Sequence, residues 1–151
     1  MLSIKAKNMD KEQLKNQATE WLCQLIGTPR VSREEKQAAD LLENVMTRHC
    51  GLQVRRQGNN LWTTAPGFRA ERPTLLLNAH IDTVRPVSGW ERNPFEPTRE
   101  GGRIYGLGSN DDGASLVSLL QAFRLLSQRG QAYNLVFLAS AEEEVSGSGG
   151  I

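Results

Sequence analysis

The stretch Thr74-Leu-Leu-Leu-Asn-Ala-His80-Ile-Asp82-Thr-Val is an apolar run that ends in a histidine and a carboxylate two residues apart. Its length and composition predict a buried β-strand. Side chains at i and i+2 of a strand point the same way, so His80 and Asp82 should leave the sheet side by side. Imidazole is a common zinc ligand, and a neighbouring carboxylate fixes its tautomer. Taken alone, the pair also fits a core histidine followed by a helix-capping aspartate.

A second apolar run, Asn134-Leu-Val-Phe-Leu-Ala, ends in Ser140-Ala-Glu142-Glu143-Glu144. Between the two runs, leucines at helical spacing predict a helix from about Asp112 to Gln128. Two apolar strands joined by a helical connection are typical of a parallel α/β sheet, in which ligands gather at the carboxyl ends of the strands. We therefore expect His80, Asp82, Asp111 and the three glutamates to meet at one edge.

The rest of the chain predicts an α/β fold with a mixed, largely parallel sheet flanked by helices. Two helices come first, and the second opens with a capping box formed by Ser32 and Glu35. A β-hairpin turns at Gly58-Asn59, and a short strand at Arg103-Ile-Tyr105 follows a long polar loop.

Composition excludes several classes of protein. The chain has 151 residues, 18 basic and 17 acidic, with a formal net charge of +1, which gives no electrostatic case for nucleic acid or an anionic membrane. Its apolar runs are far shorter than the roughly 20 residues that span a bilayer, and its first residues lack the apolar core of a secretory signal.

Cys23 and Cys50 form no C-x-x-C pair and are expected to be free thiols. We expect a cytoplasmic protein.

The acidic residues suit a site with two metal ions. A carboxylate such as Asp111 can bridge two metals with its two oxygens, and Gly106 and Gly108 allow the backbone to approach closely. Two such metals polarise a substrate carbonyl and activate water. In an extended segment Glu143 and Glu144 point in opposite directions, so we expect one to bind metal and the other to transfer the proton.

Three motifs, His80-Ile-Asp82, Gly106-Leu-Gly-Ser-Asn-Asp111 and Glu142-Glu143-Glu144, occur in this order. They resemble the zinc metallopeptidase family of acetylornithine deacetylase, succinyl-diaminopimelate desuccinylase, aminoacylase and carboxypeptidase G. The segments Trp90 to Pro97 and Gly101 to Gly106 are also similar to the stretch that links the first two motifs in that family. The resemblance extends over nearly the whole chain.

The resemblance implies a role for each motif residue. His80 would bind the first of two Zn²⁺ ions, for which Co²⁺ or Mn²⁺ can substitute, and Asp82 would steady that histidine. Asp111 would bridge the two metals, Glu143 would be the general base, and Glu144 would bind the second metal. Glu142 receives no chemical role.

After Asp111 the family commonly reads Met-Lys-Gly, whereas this chain reads Asp112-Gly113-Ala114. Asp112 is expected to be an exposed acid at the start of the helix, where it suits the helix dipole. The alternative is that Asp112 competes with Asp111 for the metal.

The resemblance also implies a reaction, which is hydrolysis of the amide bond of a small N-acylated amino acid or dipeptide. A metal-bound hydroxide would attack, and Glu143 would move the proton. Acetylornithine, an intermediate of amino-acid biosynthesis, is the first expected substrate.

The family's lid-like dimerisation domain, a further acidic ligand and a distant C-terminal histidine have no counterpart in residues 1–151, and His49 is expected at the surface. We therefore expect the chain to be the truncated N-terminal portion of the catalytic domain of a homodimeric parent. The alternative is an inactive or weakly metal-binding fragment.

Overall fold

Three α-helices and six β-strands make up the regular structure of residues 10–151, the part of the chain that the computed structural model describes. The helices are α1 (Lys11–Ile26), α2 (Lys36–Asn44), which continues into a π-helical turn at Val45–His49, and α3 (Ser115–Leu126). The strands are β1 (Arg55–Gln57), β2 (Asn60–Thr64), β3 (Thr74–His80), β4 (Thr98–Glu100), β5 (Arg103–Tyr105) and β6 (Asn134–Ser140). Within residues 10–151, no helix is both long enough and apolar enough to cross a membrane.

The main sheet has the strand order β1-β2-β6-β3, and β4 and β5 form a separate hairpin. β3 pairs with β6 in parallel, with α3 in the connection between them, as the sequence predicts. The predicted β1–β2 hairpin is also present, and β2 pairs with β6 antiparallel. The predicted mixed α/β fold is confirmed. Antiparallel pairing has a larger share than the sequence indicates, because this hairpin adds two strands to the sheet without a crossover helix.

The two apolar strands differ in burial. β6 has a neighbour on each side and is almost entirely buried, whereas β3 is an edge strand. Leu75 and Leu76 of β3 are 41% and 50% exposed, so the prediction of a buried strand is wrong for its first half. An apolar run cannot distinguish a central strand from an edge strand, because that depends on how many neighbours the strand finds.

Helix α3 packs on β3 and β6, and α1 packs on α3. The aromatic rings of Phe123 on α3 and Phe137 on β6 lie with their centroids 6.3 Å apart in the core between helix and sheet. The buried part of β3 is its end, Ala79 and His80. The core therefore holds the last residues of both parallel strands firmly where the chain leaves the sheet.

Two predicted helix starts are wrong. Ser32 and Glu35 form no capping box, since α2 begins at Lys36 without a side-chain cap. Helix α3 begins at Ser115 instead of Asp112, because Asp111 and Asp112 have non-helical backbone angles. Ser32, Asp111 and Asp112 instead make contacts with residues far away in the sequence, described below.

Candidate metal centre

The parallel register brings the ends of β3 and β6 to the same edge of the sheet, with His80 opposite Ser140. Beyond these ends lie the predicted site residues. One ligand atom each from His80, Asp111 and Glu144 come together within 4.8 Å of one another. The three predicted metal ligands are thus adjacent in space although they come from three segments of the chain. Their roles as ligands stay predictions.

Asp82 lies beneath this cluster and is fully buried. Its carboxylate accepts hydrogen bonds from the Ser32 hydroxyl at 2.6 Å and from the backbone amides of Glu143 and Glu144 at 3.1 and 3.2 Å. Burial alone would raise the pKa of Asp82, but the interactions with His80, Ser32 and the two amides outweigh it and hold the pKa well below its ordinary range. Asp82 therefore stays ionised and ties the end of β3 to the acidic turn after β6.

The His80 ring is held at both nitrogens. Its Nδ1 lies 3.0 Å from the carbonyl oxygen of Asp82 and 3.5 Å from the carboxylate of the same residue. Nδ1 must donate to these acceptors, which leaves Nε2 as the free position of a neutral ring. Nε2 lies 3.1 Å from Asp111 Oδ1 and 3.7 Å from Glu143 Oε2. The lone pair that a neutral His80 offers thus faces two carboxylates.

Such an arrangement fits a cation. Hydrogen bonding to Asp82, opposed by burial and supported by Asp111, raises the pKa of His80 to about 9. Burial and the nearby charge of Asp111 raise the pKa of Glu144. Both shifts reflect the negative charge that Asp82, Asp111 and Glu143 place around His80 and Glu144, and a bound cation would compensate that charge. One imidazole and two carboxylates are also a donor set that zinc accepts.

Asp111 and Asp112 lie in the loop before α3 and are joined by a cis peptide bond. The Asp111 side chain is 77% exposed and points to His80. Asp112 instead accepts a hydrogen bond from the His80 backbone amide at 3.2 Å. The prediction that Asp112 begins the helix is wrong, since its carboxylate fastens the loop to the end of β3.

The acidic run after β6 forms a 3₁₀ turn, Glu143–Val145, and not an extended segment. As a result the Glu143 and Glu144 side chains both approach His80, contrary to the prediction that they point in opposite directions. Glu142 accepts a hydrogen bond from the Gly149 amide and lies 3.6 Å from Arg33 Nε. Its carboxylate holds the following glycine loop.

Two residues that support the site are not predicted as site residues from the sequence. Ser32 was interpreted as a helix cap but bonds to Asp82, and Arg30 is buried beneath the site. Their partners lie 50 or more residues away in the chain. The local sequence around them carries no periodic signal that could indicate such contacts. His49, as expected, is exposed, at the end of the π-helical turn.

Comparison with known proteins agrees with this geometry. Residues 76–151 match the family model described as peptidase family M20/M25/M40. Succinyl-diaminopimelate desuccinylase of Delftia acidovorans is 29% identical over 133 residues, which is 80% of this chain and 34% of that protein. The human N-fatty-acyl-amino acid synthase/hydrolase PM20D1 is 38% identical over 100 residues, 64% of this chain and 20% of that protein.

The fold is also similar to that of a solved M20 family structure. The crystal structure of Bacillus subtilis YXEP, described as a dinuclear metal-binding peptidase of the M20 family, superposes with a TM-score of 0.67 at 17% identity, over 90% of this chain and 37% of that one. The chain spans about a third or less of the length of these proteins. The matched segment contains all five predicted site residues, and it makes up half of the chain. The protein therefore belongs to peptidase family M20/M25/M40.

Proposed function

We propose that this protein hydrolyses the amide bond of a small N-acylated amino acid or dipeptide and depends on a metal, with zinc as the first candidate. The observation that carries the proposal is the convergence of His80, Asp111 and Glu144, whose ligand atoms lie within 4.8 Å of one another. The bound metal would polarise the acyl carbonyl and activate water. His80 and Asp111 would hold one ion, and Asp111 and Glu144 a second.

Glu143 is the proposed base. Its carboxylate reaches within 3.7 Å of His80 Nε2, and its side chain is 59% exposed, so substrate and water have access to it. Glu143 would take a proton from the attacking water and deliver it to the amine nitrogen of the leaving amino acid. Asp82 positions this base, because its carboxylate accepts the hydrogen bond of the Glu143 amide.

The acyl group of the substrate is the finer part of the proposal. The resemblance in sequence suggests acetylornithine, whereas the similarity to a desuccinylase favours a succinyl group. N-succinyl-diaminopimelate and N-acetylornithine are therefore the two substrates to assay side by side. The preferred substrate is the one with the higher kcat/KM.

Metal binding is tested first. Zinc titrated into the protein should bind at His80, Asp111 and Glu144, and His80→Ala should weaken binding by roughly 100-fold. Weak zinc binding by the unaltered protein, with no difference in His80→Ala, would favour an inactive fragment instead. Calorimetry measures both.

The base is tested with Glu143→Ala. We expect amide hydrolysis to fall by roughly 1,000-fold, the usual contribution of a general base, while zinc affinity is retained. The matched control is Glu20→Ala, which removes an exposed glutamate of α1 and should leave turnover unchanged. Unchanged turnover in Glu143→Ala would refute the assignment of the base.

A further inference from the structure

Arg30 lies beneath the site and touches two of the three segments that carry its predicted metal ligands. It is 2% exposed and is among the largest fully buried side chains of residues 10–151. Its Nη1 donates to the carbonyl of Ile81, which stands between His80 and Asp82. Its Nη2 donates to the carbonyl of Gly108 at 2.8 Å, in the loop that leads to Asp111. One guanidinium thus joins two segments that are 27 residues apart.

The glycine loop is shaped around this guanidinium. A Cβ atom placed on Gly108 would lie 2.5 Å from Arg30 Nη2, and one on Gly113 would lie 3.0 Å from it. Gly108 also has a φ of 69°, which favours glycine. The Gly113 amide donates to the Gly108 carbonyl at 3.0 Å, so this oxygen accepts from both the loop and the guanidinium. The loop can approach the end of β3 this closely because Gly108 and Gly113 have no side chains.

The backbone of Arg30 is fixed as well. Its carbonyl accepts a hydrogen bond from the Thr83 amide at 2.9 Å, and the next residue, Val31, forms a parallel bridge with Thr83. Burial lowers the pKa of Arg30 to about 10, and the charges of Asp82 and Asp112 oppose this. The side chain therefore stays charged at neutral pH. A planar fork of donors can bond two carbonyls at once, which a lysine ammonium on a flexible stem reproduces poorly.

We propose that Arg30 is a positioning residue, which fixes the Gly108 loop against the end of β3 and thereby sets the spacing between His80 and Asp111. The proposal rests on the metal centre proposed above. His80 and Asp111 are 3.1 Å apart at their nearest ligand atoms, although their segments share no strand pairing. The hydrogen bonds that Arg30 makes to both segments supply part of the missing connection.

The test compares Arg30→Met, which removes the donors, with Arg30→Lys, which keeps the charge but loses the fork. The control is Gln121→Met, because Gln121 is also buried and its amide donates to a backbone carbonyl, that of Leu14, between α1 and α3. Co²⁺ is the probe, since its visible absorption reports coordination geometry as well as binding. We expect Arg30→Met to weaken Co²⁺ binding roughly 10-fold and to alter the spectrum, as is usual for groups that orient ligands. The Co²⁺ affinity and spectrum of Arg30→Lys should lie between those of Arg30→Met and the unaltered protein. Those of Gln121→Met should match the unaltered protein.

Amide hydrogen exchange without metal provides a second measurement. Exchange at His80 and Gly113 should accelerate in the Arg30 variants beyond any general loss of stability, and should not do so in Gln121→Met. If Arg30→Met fails to fold, the same measurements on Arg30→Lys test the proposal. Unaltered affinity, spectrum and exchange in the folded Arg30 variants would overturn the proposal. If the unaltered protein fails to bind Co²⁺, the metal centre is refuted, and exchange alone then decides whether Arg30 positions the loop.

Discussion

Asp82 and Asp111 stand on opposite sides of the His80 ring, Asp82 near Nδ1 and Asp111 near Nε2. Asp82 is fully buried and accepts hydrogen bonds from the Ser32 hydroxyl and two backbone amides. Asp111 is 77% exposed, and its carboxylate contacts the His80 ring at Nε2. We call Ser32 and Asp82 the floor of the site, and Asp111, Glu143 and Glu144 its rim.

The floor and the rim contribute differently to folding and to metal binding. The polar groups of the floor find their partners within the protein, so their hydrogen bonds contribute to the stability of the fold. The rim carries acids that repel one another, and the pKa of Glu144 is raised by burial and by the nearby charge of Asp111. Floor substitutions should therefore cost both folding and metal binding, whereas substitutions of the two rim ligands, Asp111 and Glu144, should cost metal binding alone.

The largest effect is expected from Asp82→Ala. It leaves the Ser32 hydroxyl and the amides of Glu143 and Glu144 without their acceptor, and it should lower the free energy of unfolding by about 3 kcal/mol. Zinc affinity should fall as well, since the acidic turn loses its anchor. Urea denaturation and calorimetry measure the two losses. Asp82→Asn keeps the shape and one acceptor oxygen but turns the NH₂ group towards the amide of Glu143 or Glu144, which is itself a donor, so most of both losses should remain. Full recovery in Asp82→Asn would show that shape, and not the two acceptor oxygens, holds the floor.

Asp111→Ala should separate binding from stability. We expect zinc affinity to fall by roughly 100-fold, with the free energy of unfolding unchanged within about 0.5 kcal/mol because the side chain is exposed. The control is Asp10→Ala, an exposed aspartate before α1 that makes no capping hydrogen bond. A large loss of stability in Asp111→Ala would contradict the division between floor and rim.

Ser32→Ala should destabilise the floor less than Asp82→Ala does. Removing one hydroxyl that donates to the Asp82 carboxylate at 2.6 Å should lower the free energy of unfolding by about 2 kcal/mol, as for a hydrogen bond to a charged group. Ser118→Ala, on the exposed face of α3, serves as the control and should change little. If Ser32 acted as a helix cap, the loss would appear as faster amide exchange along α2 and not at Glu143 and Glu144.

Site residues that follow a strand end or a glycine loop are easier to predict from the sequence than residues that reach the site from elsewhere in the chain. His80, Asp111 and Glu144 follow strand ends or a glycine loop, and the rule that such ends meet at one edge places them together. Ser32 and Arg30 reach the site through contacts across 50 or more residues, which no local period encodes. The burial of β3 was overestimated for a related reason, because the pattern of Leu75 and Leu76 does not reveal how many neighbours the strand has.

The smallest effect, and one of opposite sign, is expected at Glu35. This side chain is as buried as Asp82, but both of its oxygens lack a hydrogen-bond partner. Burial raises the pKa of Glu35, the nearby backbone amides of Glu35 and Arg33 oppose this, and the negative charges of Asp82 and Glu142 add to the rise. Since the folded pKa lies above that of the unfolded chain, the unfolded state releases its proton first, and stability falls as pH rises from about 4.3 through the folded pKa.

Glu35→Gln removes that penalty, so it should raise the free energy of unfolding at pH 7, and the gain should vanish as pH falls below about 4. Glu34→Gln is the matched control, because this neighbour is 62% exposed and paired with the exposed Arg85. Such a pair contributes less than about 1 kcal/mol at any pH. Urea unfolding of both variants from pH 4 to pH 8 measures the difference. A loss of stability in Glu35→Gln at pH 7 would mean that the protein stabilises the buried Glu35 carboxylate as it does that of Asp82, and would contradict the difference between the two acids.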